Sequence, residues 1–291
     1  MEHRSGFINV IGNPNAGKST LVNTLSGQKL SIVTSKAQTT RHRILSIVNS
    51  EDYQLVFSDT PGILKPHYKL QEAMMGVVHE AMEDADVFLL VIDPSDREMP
   101  DPNVIEKLKR SGKPVVIALN KIDVVKGEML GGLVEHWSKT LPDAEIIPVS
   151  AMKHTNTDKL LELILKNTPV HPPYYDKEEI TDRNERFFVA EIIREKILKN
   201  YQKEIPYASE VAVEGFKEDE RIIRINATVF VERESQKAIV IGHRGAALKK
   251  LGTEARLSIE HFLGKKVFLE LFIKVDKDWR NSEGKLKKFG Y

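Results

Sequence analysis

Gly12-Asn-Pro-Asn-Ala-Gly-Lys-Ser19 has the spacing G-x-x-x-x-G-K-[ST], which specifies a cradle for phosphate. Glycine at Gly12 and Gly17 lets the backbone turn tightly, so that N–H groups of Asn13, Asn15, Ala16, Gly17, Lys18, Ser19 and Thr20 can face an anion beside a helix N-terminus. Lys18 would reach the β- and γ-phosphate oxygens, and the Ser19 hydroxyl is placed for Mg²⁺. The bland alternative is a Gly-rich turn. An apolar run from Phe7 to Ile11 before the loop and a helix-compatible Lys18 to Ser26 after it favour the phosphate reading.

Further short clusters fit the same chemistry. Asp59-Thr-Pro-Gly62 follows the apolar Leu55 to Phe57, which would bring the Asp59 carboxylate out beside the first loop as a second Mg²⁺ anchor acting through water. Gly62 has no side chain to keep its N–H from a γ-phosphate, although such a tetrapeptide alone is usually only a turn. Asn120-Lys-Ile-Asp123 ends another apolar run and could choose the base. Asp123 can accept from guanine N1–H and N2–H₂, whereas adenine offers neither donor and would leave a desolvated carboxylate unpaired. Asn120 would brace neighbouring loops, the Lys121 stem would lie along the base, and Ser150-Ala151 could offer an N–H to guanine O6. Thr39-Thr40-Arg41 lies where a mobile loop could bring a hydroxyl, Thr40 in preference to Thr39, to Mg²⁺ while a γ-phosphate is present; a plain polar loop is the alternative.

These clusters need a scaffold that sets them side by side. Strands are expected at Phe7 to Ile11, Ile44 to Asn49, Tyr53 to Phe57, Val87 to Ile92, Val115 to Leu119 and Ile146 to Val149, the second and third forming a hairpin. Helices are expected at Lys18 to Ser26, Leu70 to Met82, Val104 to Arg110 and Asp158 to Leu165. The alternation, with strands apolar throughout, predicts an α/β domain with a doubly wound, mostly parallel sheet. Prolines in 167–175 end this pattern. We therefore divide the chain into a first domain at 1–168, a linker at 169–182 and a second domain at 183–291. The second reads α-β-β-α-α-β: a helix near Glu185 to Tyr201, strands near Glu210 to Phe216 and Arg221 to Glu232, Ala238 to Ile241 entering a turn, a helix from Gly245 to Leu263 and a strand from Val267 to Val275.

With 291 residues, 41% hydrophobic and 29% charged, composition excludes disordered, collagenous and membrane-spanning classes. The absence of cysteine excludes a disulfide framework and thiolate metal sites, and the nine histidines form no metal-spaced cluster. No apolar signal core follows Met1, so a cytoplasmic location is expected. Net charge is only +1, yet the segment from Arg233 to Tyr291 carries 14 basic against 7 acidic residues. That excess suits a polyanion or is simply a solvated basic face.

The ordered set Gly12 to Ser19, Thr39-Thr40, Asp59 to Gly62, Asn120 to Asp123 and Ser150-Ala151 resembles a TRAFAC-class GTPase. With Gln38-Thr-Thr-Arg-His42, Val240-Ile-Gly-His-Arg-Gly-Ala246 and the ending from Trp279 to Tyr291, the chain resembles the bacterial Era family over essentially its whole length. The resemblance implies a P-loop GTPase domain followed by an α+β type II KH domain. GTP/GDP and Mg²⁺ would be the ligands, and Lys18, Thr40 and Gly62 the groups acting on the phosphates. It also implies a potassium ion held by Asn15, binding of 16S ribosomal RNA during assembly of the 30S subunit, and loose association with the inner face of the cytoplasmic membrane. A monomer is expected. The RNA-binding loop would be Gly242-His243-Arg244-Gly245, with Ile241 facing bases and Arg244, Lys249 and Lys250 supplying cations. A lone GxxG is otherwise only a strand-to-helix turn. Ile63 stands where Ras-like enzymes place a water-orienting glutamine, which predicts slow intrinsic hydrolysis. Two alternatives stay open: a second domain that binds protein or membrane instead of RNA, and a P-loop kinase for a small molecule.

Overall fold

The computed structural model describes residues 2–96, 98–125 and 127–291. It divides into two compact units, one comprising Met1–His67 with Gln71–Asp182, the other Tyr68–Leu70 with Arg183–Tyr291.

The first unit runs β1 (Arg4–Ile11), α1 (Lys18–Ser26), β2 (Ile44–Asn49), β3 (Tyr53–Asp59), α2 (Lys69–Asp84), β4 (Val87–Ile92), α3 (Pro102–Ser111), β5 (Val115–Leu119), α4 (Gly127–Thr140), β6 (Glu145–Pro148) and α5 (Thr157–Asn167). Its sheet has the order β2-β3-β1-β4-β5-β6. Every pairing is parallel except the expected hairpin of β2 with β3. Helices flanking the sheet explain why all six residues of β4 are buried and why its sequence is continuously apolar. Ile8, Val10, Leu55, Phe57, Leu89 and Val91 pack with Leu21 and Val22 of α1 and Leu160 and Ile164 of α5. From β1 the chain winds one way to β3 and afterwards the other way to β4 and β5. This switch of direction opens a crevice at the carboxyl ends of the strands, where the loop motifs lie. α3 begins at Asp101, whose side chain accepts from the Asn103 N–H ahead of Pro102, and ends at Gly112 with φ 64°.

α4 has no counterpart among the expected elements. Gly127, Gly131 and Gly132 lower helix propensity there, and what overrides it is burial of Leu133 and Trp137 one turn apart. The proline-rich segment beyond α5 lies against the sheet rather than apart from it. Ile47 N–H donates to Ile180 O at 2.9 Å. Gln54 Oε1 accepts from the N–H groups of Tyr174 and Tyr175, and Tyr174 meets Phe7 edge-on at 5.0 Å. With the Leu45 N–H donating to Asp182 Oδ1 at 3.3 Å, two N–H groups of the edge strand β2 are thereby paired.

The second unit runs α6 (Glu185–Asn200), α7 (Ile205–Ala208), β7 (Glu210–Glu218), β8 (Ile222–Val231), α8 (Glu234–Ile241), α9 (Ala246–Leu263), β9 (Lys266–Val275) and α10 (Glu283–Lys288). β8 is central, antiparallel to β7 and parallel to β9. Alternate residues Ile223, Ile225, Ala227, Val229 and Val231 of β8 pack with Val189, Ile193 and Ile197 of α6 and Leu251, Ala255 and Ile259 of α9. Ala238 to Ile241, which the expected order α-β-β-α-α-β places as the first of two helices entering a turn, is the second half of α8, which starts earlier at Glu234. The single-turn α7 and the short α10 are new; such lengths leave no periodic signal in sequence. Trp279 is fully buried, its Nε1 donating to Ala208 O at 3.0 Å. Among the described residues no helix is long and apolar enough to cross a membrane.

Candidate functional site

The loop between β1 and α1 wraps inward. Gly12, Asn15 and Gly17 take positive φ values of 152°, 65° and 94°. A Cβ at Gly17 would sit 2.3 Å from Asn120 Nδ2, so no other residue lets the loop close on the Asn120 side chain. Lys18 is buried and donates to the Gly12 and Asn13 carbonyls at 3.0 and 2.9 Å, which fixes the ammonium in the curve of the loop. Burial lowers its pKa to about 8, against the raising influence of Asp59 and Asp96.

Asp59 ends β3 fully buried, and burial pushes its carboxyl up. Neither of its oxygens has a hydrogen bond of normal geometry, although the Ser31 and Ser19 hydroxyls and the Lys18 charge lie close enough to oppose the shift. A buried, unpartnered carboxylate is expensive unless a cation completes it. Nearby, the Ser19 and Thr40 hydroxyls share a hydrogen bond of 2.9 Å. Thr39 turns away, donating to Lys36 O at 2.6 Å. Ser19, Thr40 and Asp59 therefore converge as hard oxygen donors, a set whose chemistry fits Mg²⁺. Gly62 lines the same cavity of about 310 Å³, with Asn15, Ser19, Thr20, Thr40 and Lys121. Ile63 is 1% exposed and its N–H donates to Gly12 O, so its side chain belongs to the core rather than the cavity.

The residues expected to select the base gather at the ends of β5 and β6. Asn120 is buried, donates through Nδ2 to Ala16 O at 2.9 Å and accepts from Ala151 N–H at 3.0 Å, tying three loops with one amide. Asp123 Oδ1 accepts from the Ser150 hydroxyl at 2.6 Å, which orients the carboxylate. Lys121 Nζ donates to Asn15 O at 2.7 Å and forms a short ion pair with Asp93. Sequence reasoning passes over Asp93, since a lone Asp-Pro-Ser turn after a strand carries no signal of its own.

In the second unit Gly242 and Gly245 bracket a tight turn between α8 and α9. Gly242 has φ 71° and ψ 178°, and a Cβ there would sit 2.6 Å from the Ala247 Cβ. His243, Arg244, Lys249 and Lys250 are exposed, while Ile241 is half-buried. Lys250 lies 3.7 Å from Glu254, a solvated i,i+4 pair. A groove of about 390 Å³ follows, with Gly245, Leu248, Lys249 and Arg256 on one side and Leu269 and Leu271 of β9 on the other. Arg256, Leu269 and Leu271 are not singled out by the sequence. Only the packing of α9 beside β9 brings them to the loop.

Two family models match the chain: a 50S ribosome-binding GTPase model over residues 7–121 and a KH domain model over residues 204–280. GTPase Era of Clostridium kluyveri is 45% identical over 291 residues, covering 99% of each chain. GTPase Era of Clostridium perfringens is 46% identical over 290 residues, covering 99% of this chain and 98% of the relative. Among solved structures, the crystal structure of Era in complex with MgGDPNP and nucleotides 1506–1542 of 16S ribosomal RNA superposes with a TM-score of 0.95 at 36% identity, covering 99% of both chains. A point variant of Aquifex aeolicus Era bound to GDP·AlF₄⁻ gives the same TM-score, identity and coverage. Loop geometry, domain order and full-length likeness agree, and the chain belongs to the Era family of GTPases.

Proposed function

We propose that the chain hydrolyses GTP to GDP and phosphate as a switch governing its grip on small-subunit ribosomal RNA during assembly of that subunit. The observation that carries this reading is the Asn120 amide, which ties the phosphate loop at Ala16 to the base loop at Ala151 and so makes one pocket for base and phosphates. Gly12, Asn13, Asn15, Ala16, Gly17 and Thr20 frame the phosphates. Ser19, Thr40 and Asp59 would hold Mg²⁺, which when bound supplies positive charge to the β- and γ-oxygens. Lys18 neutralises the same oxygens. The Gly62 N–H meets charge developing on the γ-phosphate. Asn120, Lys121, Asp123, Ser150 and Ala151 enclose guanine, with Asp123 discriminating against adenine.

Of the two side chains that follow Gly62, Ile63 is buried in the core and Leu64, which lines the cavity, has no polar group to orient water. The attacking water is then positioned by backbone or by a partner, and hydrolysis by the chain alone is slow. Thr40 reports the γ-phosphate, and its loop leads directly into β2. Asn15, exposed at the cavity, is the residue we assign to potassium. In the second unit the loop Ile241 to Gly245, with Lys249 and Lys250, takes single-stranded RNA along the α9–β9 groove. The 16S fragment bound by the solved Era relative supports this choice of RNA. We place the chain in the cytoplasm, with peripheral membrane contact as the family reading.

The decisive experiment measures RNA affinity, over a range of salt concentrations, with a non-hydrolysable GTP analogue and with GDP. Unequal affinities are expected; equal ones would detach hydrolysis from RNA binding.

A further inference from the structure

We propose that Asp93, just past the end of β4, is a positioning residue that sets guanine-nucleotide affinity by holding Lys121. Asp93 follows Ile92, and Ile92 O accepts from Asn120 N–H at 2.9 Å, so the two loops leave neighbouring parallel strands side by side. The carboxylate is fixed at both ends. Oδ1 accepts from the Ser95 N–H at 2.9 Å and the Ser95 hydroxyl at 2.6 Å, while Oδ2 takes the Lys121 ammonium. Its side chain is 18% exposed and that of Lys121 37%, so the pair is half-buried and water competes for it from the lysine side only.

Lys121 and Asn15 both stand at positive φ, 59° and 65°, conformations that cost energy for residues other than glycine. They are tied to each other by Lys121 Nζ donating to Asn15 O at 2.7 Å. One ammonium thus bridges the base loop and the phosphate loop, and Asp93 keeps it there. Without the carboxylate, the Lys121 head is free to leave for solvent. Its stem then no longer lies along the pocket, and the Asn15 carbonyl loses its donor. The neighbouring Asn13 Nδ2 donates to Glu98 O at 3.3 Å, so the same loop also braces the phosphate cradle from behind.

The inference rests on the nucleotide-pocket reading above, and its test separates the two. Dissociation constants for a fluorescent GDP with Mg²⁺ are measured for the full chain, Asp93→Asn, Lys121→Met and the double variant, together with single-turnover hydrolysis at saturating GTP. Asp93→Asn is expected to weaken GDP about tenfold, the scale of a lost charged hydrogen bond, and to leave the saturated hydrolysis rate within about twofold. In the Lys121→Met background it is expected to add nothing, because the effect travels through that ammonium. Additive losses, or an unchanged constant in Asp93→Asn, would overturn the assignment. If the full chain itself fails to bind GDP, the pocket reading falls instead. Should Asp93→Asn melt below the assay temperature, Asp93→Ser, which also removes the carboxylate, carries the same cycle and the same outcomes decide.

Discussion

Asn120 offers the sharpest quantitative test. Replacing it with alanine removes an amide that is 2% exposed and makes two internal hydrogen bonds, to Ala16 O and from Ala151 N–H. Both backbone groups are then left unpaired, each costing about 1–3 kcal/mol, so a total loss of about 2–6 kcal/mol is expected. In a unit of this size that corresponds to a melting temperature lower by roughly 5–20 °C. Asn120→Asp makes a finer distinction. It keeps an acceptor for Ala151 but sets a carboxylate oxygen against the Ala16 carbonyl, so at pH 8 it should bind GDP more weakly than the alanine variant. Calorimetry of nucleotide-free protein, and fluorescence titration with labelled GDP, read the two effects separately. An aspartate variant that binds like the parent, or an alanine variant that loses under about 1 kcal/mol, would refute the idea that this amide is the knot joining the loops.

Three other expectations follow from the geometry. Asp123→Asn replaces an acceptor by a donor, so GDP affinity should fall by about 10- to 200-fold while xanthosine diphosphate, which offers an oxygen there, gains; unchanged selectivity would remove Asp123 from base recognition. Lys18 loses its proton near pH 8 in the nucleotide-free protein, and phosphates need the charged form, so GDP affinity is full below pH 8 and declines as pH rises through it. Titration from pH 7.5 to 9 should show the decline and Lys18→Arg should abolish it; the fold leans the opposite way, gaining stability between pH 8 and 10.5, where only the unfolded chain keeps that proton. Finally, Gly242→Ala should destabilise the second unit by about 1–3 kcal/mol, since its backbone is in a glycine-only region and its Cβ meets Ala247. Gly245→Asn, at φ 78° with nothing within 4 Å, should fold normally, and Gly245→Asp should weaken RNA binding through charge; equal melting temperatures for Gly242→Ala and Gly245→Asn would contradict this reading.

Much of the first unit is legible in sequence because each motif is local. A phosphate cradle is written in eight consecutive residues, and Asn120 to Asp123 is announced by the apolar strand before it. The choice of Thr40 over Thr39 rests on little in sequence; in space Thr40 is the one whose hydroxyl meets Ser19, while Thr39 bonds Lys36 O. Asp93 is invisible there because its partner is 28 residues away and the pair exists only when β4 and β5 lie in register. α4 is hidden by glycines, and the groove beside α9 by the fact that Leu269 and Leu271 look like any inward-facing strand residues until a helix leaves a gap above them.

The covering of β2 bears on where this protein can be cut. Ile180 and Asp182 satisfy the Ile47 and Leu45 N–H groups of β2, and Tyr174 and Tyr175 satisfy the Gln54 side chain on β3, so a fragment ending at 168 would bare these groups to solvent. Such a piece invites self-association through that rim, whereas one ending at 182 carries its own seal. On the ribosome the same rim stays unsealed until the prolines and tyrosines beyond α5 have emerged.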